Sequence, residues 1–294
     1  MDKTTLAQQI AVTVLGDDQF ISVHHPIRMG ALASFVYGGN TLGVAINAAY
    51  QTVSSSHHLY SISGHFVRTA RDDRKLLCRI ERIRDTKSFQ TRHIRVYQDD
   101  DNGSSAPTLC LLASADFHTE EDVSMAQYSA TPETATRNSS PSSADKTVPQ
   151  DRDIGLLYQN ITRFTAAHPL PARISQPHDA PSRISAERFH VPTSLASEAE
   201  QIAALAFHMD KGLAFIPVSH SGHMLSQVGA CATLDFAMRL STHKVDLSRW
   251  HTMEQKTIVA GNARALSEAR VWDDAGGQLV GTMSQQTILR PGRL

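Results

Sequence analysis

A few residues in this chain are of the types that bind and activate water. Asp210 closes the apolar run SEAEQIAALAFHMD (197–210), where a carboxylate in the last turn of a helix is unfavourable by about 0.3–1 kcal/mol. Lys211-Gly212 then reads as the helix stop. Thr233 and Asp235 lie in ACATLDFAMRL, where a strand period of two places both on one face and Ala232, Leu234 and Phe236 on the other. Gln285 and Gln286 interrupt the apolar strand LVGTMSQQTILR, and alternation turns one of them inward, where an amide needs partners. Gly38-Gly39-Asn40 precedes an apolar helix, and the unpaired N–H groups of that first turn would suit a carbonyl oxygen gaining charge. Each also has an ordinary reading: a solvated helix end beside Lys211, a solvent-facing strand pair, a core glutamine bonded to backbone or at a sheet edge, and a plain strand-to-helix turn.

Other chemistries lack their residues. SHSGH (219–223) has Ser219 where a nucleophile elbow requires Gly. His220 and His223 do not make a zinc site by themselves, and there is no His-Glu-x-x-His, paired-Cys or Gly-rich phosphate motif, so neither a metal nor a cofactor is expected. Cys78, Cys110 and Cys231 are odd in number and far apart, which fits reduced, buried thiols in an intracellular protein.

The elements that must position these residues fall into two similar sets. GGNTLGVAINAAYQTV carries Leu42, Ala45, Ile46 and Ala49 at helical spacing with small residues on most other faces, so a helix buried nearly all round is expected. Four strand-like runs follow: LYSISGHFVR, KLLCRIERIR, SFQTRHIRVYQ and PTLCLLASADFH. The second set repeats the order, with a helix at 197–210 capped by Ser197 and Glu200, then strands at 229–241, 253–260, 264–273 and 278–290. A constant offset of 175 lays Arg95-Val96-Tyr97 over Arg270-Val271-Trp272. The expected fold is therefore an α+β internal repeat, one helix wrapped by an antiparallel sheet in each half. Modules at 1–118 and 189–294 are separated by 119–188, a polar Ser/Thr/Pro-rich stretch read as a surface linker.

Composition narrows the partners. Of 294 residues, 41% are apolar and 19% charged, with net charge −1, so the positive excess of a nucleic-acid binder is missing. No run approaches the roughly 18 uninterrupted apolar residues of a membrane-crossing helix, and MDKTTLAQQI has no long apolar region for secretion. A cytoplasmic protein is expected, with the C-terminal Gly292-Arg293-Leu294 a loose match to the peroxisomal Ser-Lys-Leu address.

Taken together, YGGNTLGVAINAA, RIRDTKSFQTRHIRV, ATLDFAMRL and SEARVWDDAGGQLVGTMSQQTILRP resemble the acyl-CoA thioesterase II family, the double-hotdog thioesterases, in wording closest to fungal-type members. The motifs occur in order over nearly the whole chain outside 119–188. The resemblance implies hydrolysis of an acyl-CoA or carrier-bound acyl thioester by a water held by Asp210, Thr233 and Gln285, with Gly38 and Gly39 as oxyanion donors and Asp235 as a secondary candidate. A substrate of that kind is the partner this implies; composition leaves out nucleic acid and membrane, and a continuous sheet from two fused modules offers surface for pairing into a homo-oligomer. The chain departs from the family pattern after Asp210, where KGLAFIP runs longer before Pro217. Two alternatives stay open at this point: a hotdog hydratase or dehydratase acting on acyl thioesters, or a non-catalytic acyl-binding module in a biosynthetic pathway. His208, two residues from Asp210 and toward the other side of the helix, argues against the first.

Overall fold

The computed structural model describes residues 4–31, 35–99, 106–134, 152–173 and 180–292. The last two residues of the C-terminal Gly-Arg-Leu lie outside them. In chain order the elements are α1 (Leu6–Gln9), β1 (Val12–Gly16), β2 (Gln19–Ser22), α2 (Gly38–Tyr50), β3 (His57–Phe66), β4 (Leu77–Asp85), β5 (Phe89–Gln98), β6 (Thr108–Thr119), α3 (Arg152–Tyr158), β7 (Ala166–Arg173), β8 (Ile184–His190), α4 (Glu198–Met209), α5 (Ile216–His220), β9 (Val228–Leu240), β10 (His251–Gly261), β11 (Arg264–Asp273) and β12 (Leu279–Pro291).

The twelve strands form one antiparallel sheet, ordered β1-β2-β4-β5-β6-β3-β9-β12-β11-β10-β8-β7. From the β3–β9 seam outward, both halves follow the same order. β3 pairs with β9 around Gly64↔Phe236, β6 then adds Ala113 opposite Gly64, and β12 adds Gln285 opposite Phe236. A pseudo-twofold axis therefore passes through the β3–β9 seam, whose paired residues centre on Ser63↔Ala237. β5 and β11 occupy matching places, so the offset of 175 read from the sequence relates equivalent strands. This is the repeat of a helix wrapped by antiparallel sheet that the duplicated element order predicts, and the double hotdog that the family resemblance implies.

Two regions differ from the expectation. The stretch 119–188 was expected to be linker, yet its described residues include α3, β7 and β8, and β8 pairs with β10 from His251↔Phe189 to Gln255↔Ser185. Pro169 in β7 and the charged centre of β8 disguise this edge, because an outer strand tolerates Pro and polar residues that a central one would not. Residues before β7 do run over the second module: Trp272 Nε1 donates to the Ala130 carbonyl at 2.7 Å, and the Thr134 N–H donates to Glu254 at 2.7 Å. The second difference is the hairpin β1–β2, which extends the sheet beyond β4 although no strand is expected before the first core helix.

Inside the sheet, α2 is buried from Gly39 to Ala49 and α4 from Ile202 to Met209. The helices run antiparallel and side by side. A Cβ on Gly39 would lie 2.7 Å from the Phe207 carbonyl oxygen, one on Gly43 would lie 3.2 Å from that of Ala203, and Tyr50 hydrogen-bonds Glu198 at 2.8 Å. Small residues on α2 thus allow backbone-to-backbone approach, and each helix's first turn lies beside the other's last. Among the described residues no helix is long and apolar enough to cross a membrane.

The spacing at Gly43 is testable. Gly43→Leu forces a side chain between α2, Ile10 and the Ala203 carbonyl, and should cost about 1–3 kcal/mol of overpacking strain, read as a lowered midpoint in urea unfolding. A midpoint equal to that of the unmodified chain would mean the helices are not in close contact there.

Candidate active site

Asp210 is the C-cap of α4 and only 6% exposed, although its own helix dipole disfavours a negative charge there. Its carboxylate instead meets the N-terminus of α2. The Gly39 N–H donates to Oδ2 at 2.6 Å, at a helix start whose N-cap Tyr37 supplies no side-chain cap. The carboxylate thus fills the role of a cap for the neighbouring helix. The acid that fits its own helix poorly fits the adjacent one well.

The other oxygen is held from the sheet. Gln285, 1% exposed on β12, donates through Nε2 to Asp210 Oδ1 at 2.5 Å, and Thr233 Oγ1 on β9 donates to Gln285 Oε1 at 3.1 Å. A single relay therefore runs Thr233 to Gln285 to Asp210, with Gly39 closing it from α2. Burial is the largest influence on Asp210 and pushes its carboxyl up, while the bonds from Gln285 and Gly39 pull it back; the outcome is about 6 against an ordinary 3.8. A carboxyl at that level is a proton acceptor matched to neutral solution.

The expectation that Thr233 and Asp235 share a face is wrong. Gln286 pairs with Asp235, but Thr287 pairs with Thr233, so β9 bulges at Leu234 and its alternation reverses. Thr233 joins buried Gln285, Thr287 and Phe236 on the inner face. Asp235 lies on the outer face with Gln286 and takes no part in the relay. No residue in ACATLDFAMRL announces the bulge.

Several positioning residues escaped the sequence reading. The Tyr37 hydroxyl donates to the Phe207 carbonyl, and the two rings meet edge to face at 4.9 Å, which fixes the start of α2 against the end of α4. Lys211 does not pair with Asp210: its Nζ lies 2.7 Å from Glu187 Oε2, while Gln255 Nε2 donates to the Lys211 carbonyl at 2.9 Å. Gly212, at φ +80°, then turns the chain away beneath Tyr158. Glu187 sits on β8 within the supposed linker, so its sequence context gave no cue. Phe66 closes over Gly38, its Cζ 3.0 Å from where a Cβ would be.

His208 points elsewhere. Its ring stacks on Phe189 at 3.7 Å, Nε2 lies 2.9 Å from Glu187 Oε1, and Nδ1 lies 3.2 Å from Thr165 Oγ1. Burial lowers its pKa against the opposing pull of Glu187. An Asp–His pair for hydration is therefore not assembled around Asp210. Among the described residues, one trio has the donor types of a metal site: His58, Glu198 and His243, with ligand atoms within 4.8 Å of one another. Its two imidazoles stack face to face at 3.6 Å, so their in-plane lone pairs do not converge, and Glu198 is already bonded to His58 and Tyr50.

The first module holds a counterpart of the relay without its chemistry. Counted from the N-caps Tyr37 and Ser197, Asp210 corresponds to Tyr50. Only one of the two related helix ends carries an acid.

Comparisons with known proteins agree with this architecture. The family model for the acyl-CoA thioesterase N-terminal domain matches residues 25–118, and that for the C-terminal domain matches 135–289. No curated protein matches the chain in sequence. Among solved structures, the acyl-CoA thioesterase II TesB2 from Mycobacterium marinum is 19% identical with TM-score 0.75, covering 98% of each chain. A tesB protein from Mycobacterium avium subs paratuberculosis is 15% identical with TM-score 0.72, covering 97% of this chain and 98% of its own. The dehydratase domain of RzxB from Pseudomonas fluorescens is 12% identical with TM-score 0.52, covering 93% and 94%.

Asp210 ties stability to pH. The folded chain keeps the Asp210 proton to about 6, whereas the unfolded chain releases it near 3.8, so this group's contribution is full below 3.8 and is lost as pH rises to about 6. Asp210→Asn carries no such loss, and its amide is accommodated if Gln285 turns over, because the Thr233 hydroxyl can accept as well as donate. The stability of Asp210→Asn minus that of the unmodified chain should grow across that window by up to about 3 kcal/mol and then level off. Urea unfolding at a series of pH values measures this, and a difference that does not change with pH would refute the buried carboxylate.

Proposed function

Because the chain belongs to the acyl-CoA thioesterase family through both its N- and C-terminal domains, we propose that Asp210, Thr233 and Gln285 hold and activate the water that hydrolyses its acyl-CoA substrate. The observation that carries this is the relay itself: three side chains from α4, β9 and β12, far apart in sequence, joined by hydrogen bonds around a buried carboxylate. A purely structural acid would gain more from a cationic partner, and the lysine that follows it in the chain, Lys211, is paired with Glu187 instead.

A thioester needs no serine nucleophile, since its carbonyl is activated and a thiolate leaves readily. Water attacks the carbonyl carbon as the Asp210 carboxylate takes one of its protons. The carbonyl π electrons move to oxygen, giving a tetrahedral oxyanion near the first turn of α2. When that oxyanion collapses, the C–S bond breaks and the thiolate receives the proton from Asp210, leaving a carboxylic acid and a thiol. Thr233 acts through Gln285: its hydroxyl holds the amide oxygen, which aims Nε2 at Asp210 and sets the direction of the carboxylate. The Gly39 N–H is engaged by Asp210, so it anchors the base, and Gly38 is the remaining backbone candidate for the substrate oxygen.

Two measurements test the assignment. Thiol release from acyl-CoA should fall by about 10²- to 10⁴-fold in Asp210→Asn, in a protein that still melts cooperatively. In the unmodified enzyme kcat/KM should rise with pH to a plateau above about 6, as Asp210 becomes a base. A folded Asp210→Asn protein with undiminished turnover would rule the mechanism out.

A further inference from the structure

A cavity lies beside α2 but outside the relay. It is an open groove of about 620 Å³ between residues 23–28, the β-hairpin approach at Asp72 and Lys75, and the turn at Asn160 and Arg163. Its wall is tied to the catalytic helix. Asn40, the residue after Gly39, accepts through Oδ1 from the Ile27 N–H at 2.9 Å and from Gln9 Nε2 at 3.1 Å, and both Gln9 and Ile27 line the groove. Buried Asn40 thus joins the groove wall, through Gln9 and Ile27, to the α2 residue next to the amide that anchors Asp210.

Its charge is lopsided for a chain of net charge −1. Arg28, Lys75 and Arg163 face it together with His24 and His25, against one carboxylate, Asp72. Arg28 neutralises that acid at 2.8 Å. Among the described residues no acid pairs with Lys75 or Arg163, and the Arg163 guanidinium lies over the Phe164 ring at 4.5 Å, which steadies it. Two cations and two imidazoles in a concave site of small-molecule size call for a compact polyanion. A protein surface would need a broad face instead.

We infer that this groove binds the phosphorylated adenosine end of the thiol carrier, with Lys75 and Arg163 as specificity-determining cations, so that coenzyme A thioesters are selected over thioesters of shorter or protein-bound pantetheine. This rests on the proposed hydrolysis for its consequence in turnover, but the binding itself does not.

The test has a binding arm and a kinetic arm. Adenosine 3′,5′-bisphosphate, added alone and followed by calorimetry at low salt, should bind the unmodified protein with a dissociation constant of at most about 1 mM, and adenosine should not bind. The double variant Lys75→Glu/Arg163→Glu, both surface positions, should weaken that binding at least tenfold while keeping its melting temperature. In turnover, the ratio of kcat/KM for acyl-CoA to that for the matching acyl-pantetheine should fall at least tenfold in the double variant. No bisphosphate binding by the unmodified protein, or equal binding of adenosine, would overturn the proposal. So would an unchanged ratio in the variant. Absence of thiol release from either substrate would count against the hydrolytic reading, and the calorimetry would still decide the groove.

Discussion

The constraint on which the site depends is a carboxylate kept away from water between two helices. Burial alone would protonate Asp210; one backbone N–H from α2 and one amide from β12 offset part of that cost and leave a group that titrates close to neutrality. Each compensating bond comes from a different part of the fold. The N–H requires α2 and α4 to run antiparallel in close contact, which requires glycine at 39 and 43. The amide requires β12 to lie next to β9 in a register that brings Gln285 beneath the end of α4. The tyrosine clasp at Phe207 and the Lys211–Glu187–Gln255 brace hold the end of α4 to the same tolerance.

Much of this was legible in the residues. The all-round apolarity of α2, the capped apolar run of α4 and the alternation of eight strands come from side chains whose burial sets local periodicity, and the structure places those elements where the patterns do. Asp210 and Gln285 stood out because each breaks such a pattern: an acid at the wrong helix end and an amide inside an apolar strand. What patterns could not supply were features set by partners. The bulge at Leu234, which moves Thr233 inward and Asp235 outward, arises from pairing with β12 and leaves no mark in β9's own sequence. β7 escaped because an edge strand needs only one hydrogen-bonded neighbour and tolerates Pro and polar residues, and β8, paired on both sides, because Glu187-Arg188 interrupts its apolar pattern. The same gap hid Glu187 and, with it, the brace on Lys211.

The duplicated halves have diverged where chemistry is concerned and stayed alike where geometry is. Strand order is mirrored about the β3–β9 seam, yet the helix-end position matching Asp210 is Tyr50. In the first half the tyrosine hydroxyl meets a carboxylate, Glu198, that belongs to the opposite helix start, so the helix-end contact persists with the acid and its partner exchanged. The contact is structural at one end of the helix pair and available for reaction at the other.

Because the anchoring amide at Gly39 belongs to the first half and the acid, hydroxyl and carboxamide belong to the second, the two halves are unlike subunits joined in one polypeptide. Covalent linkage therefore enforces a one-to-one pairing of dissimilar partners, and the buried carboxylate is anchored only where the two halves meet.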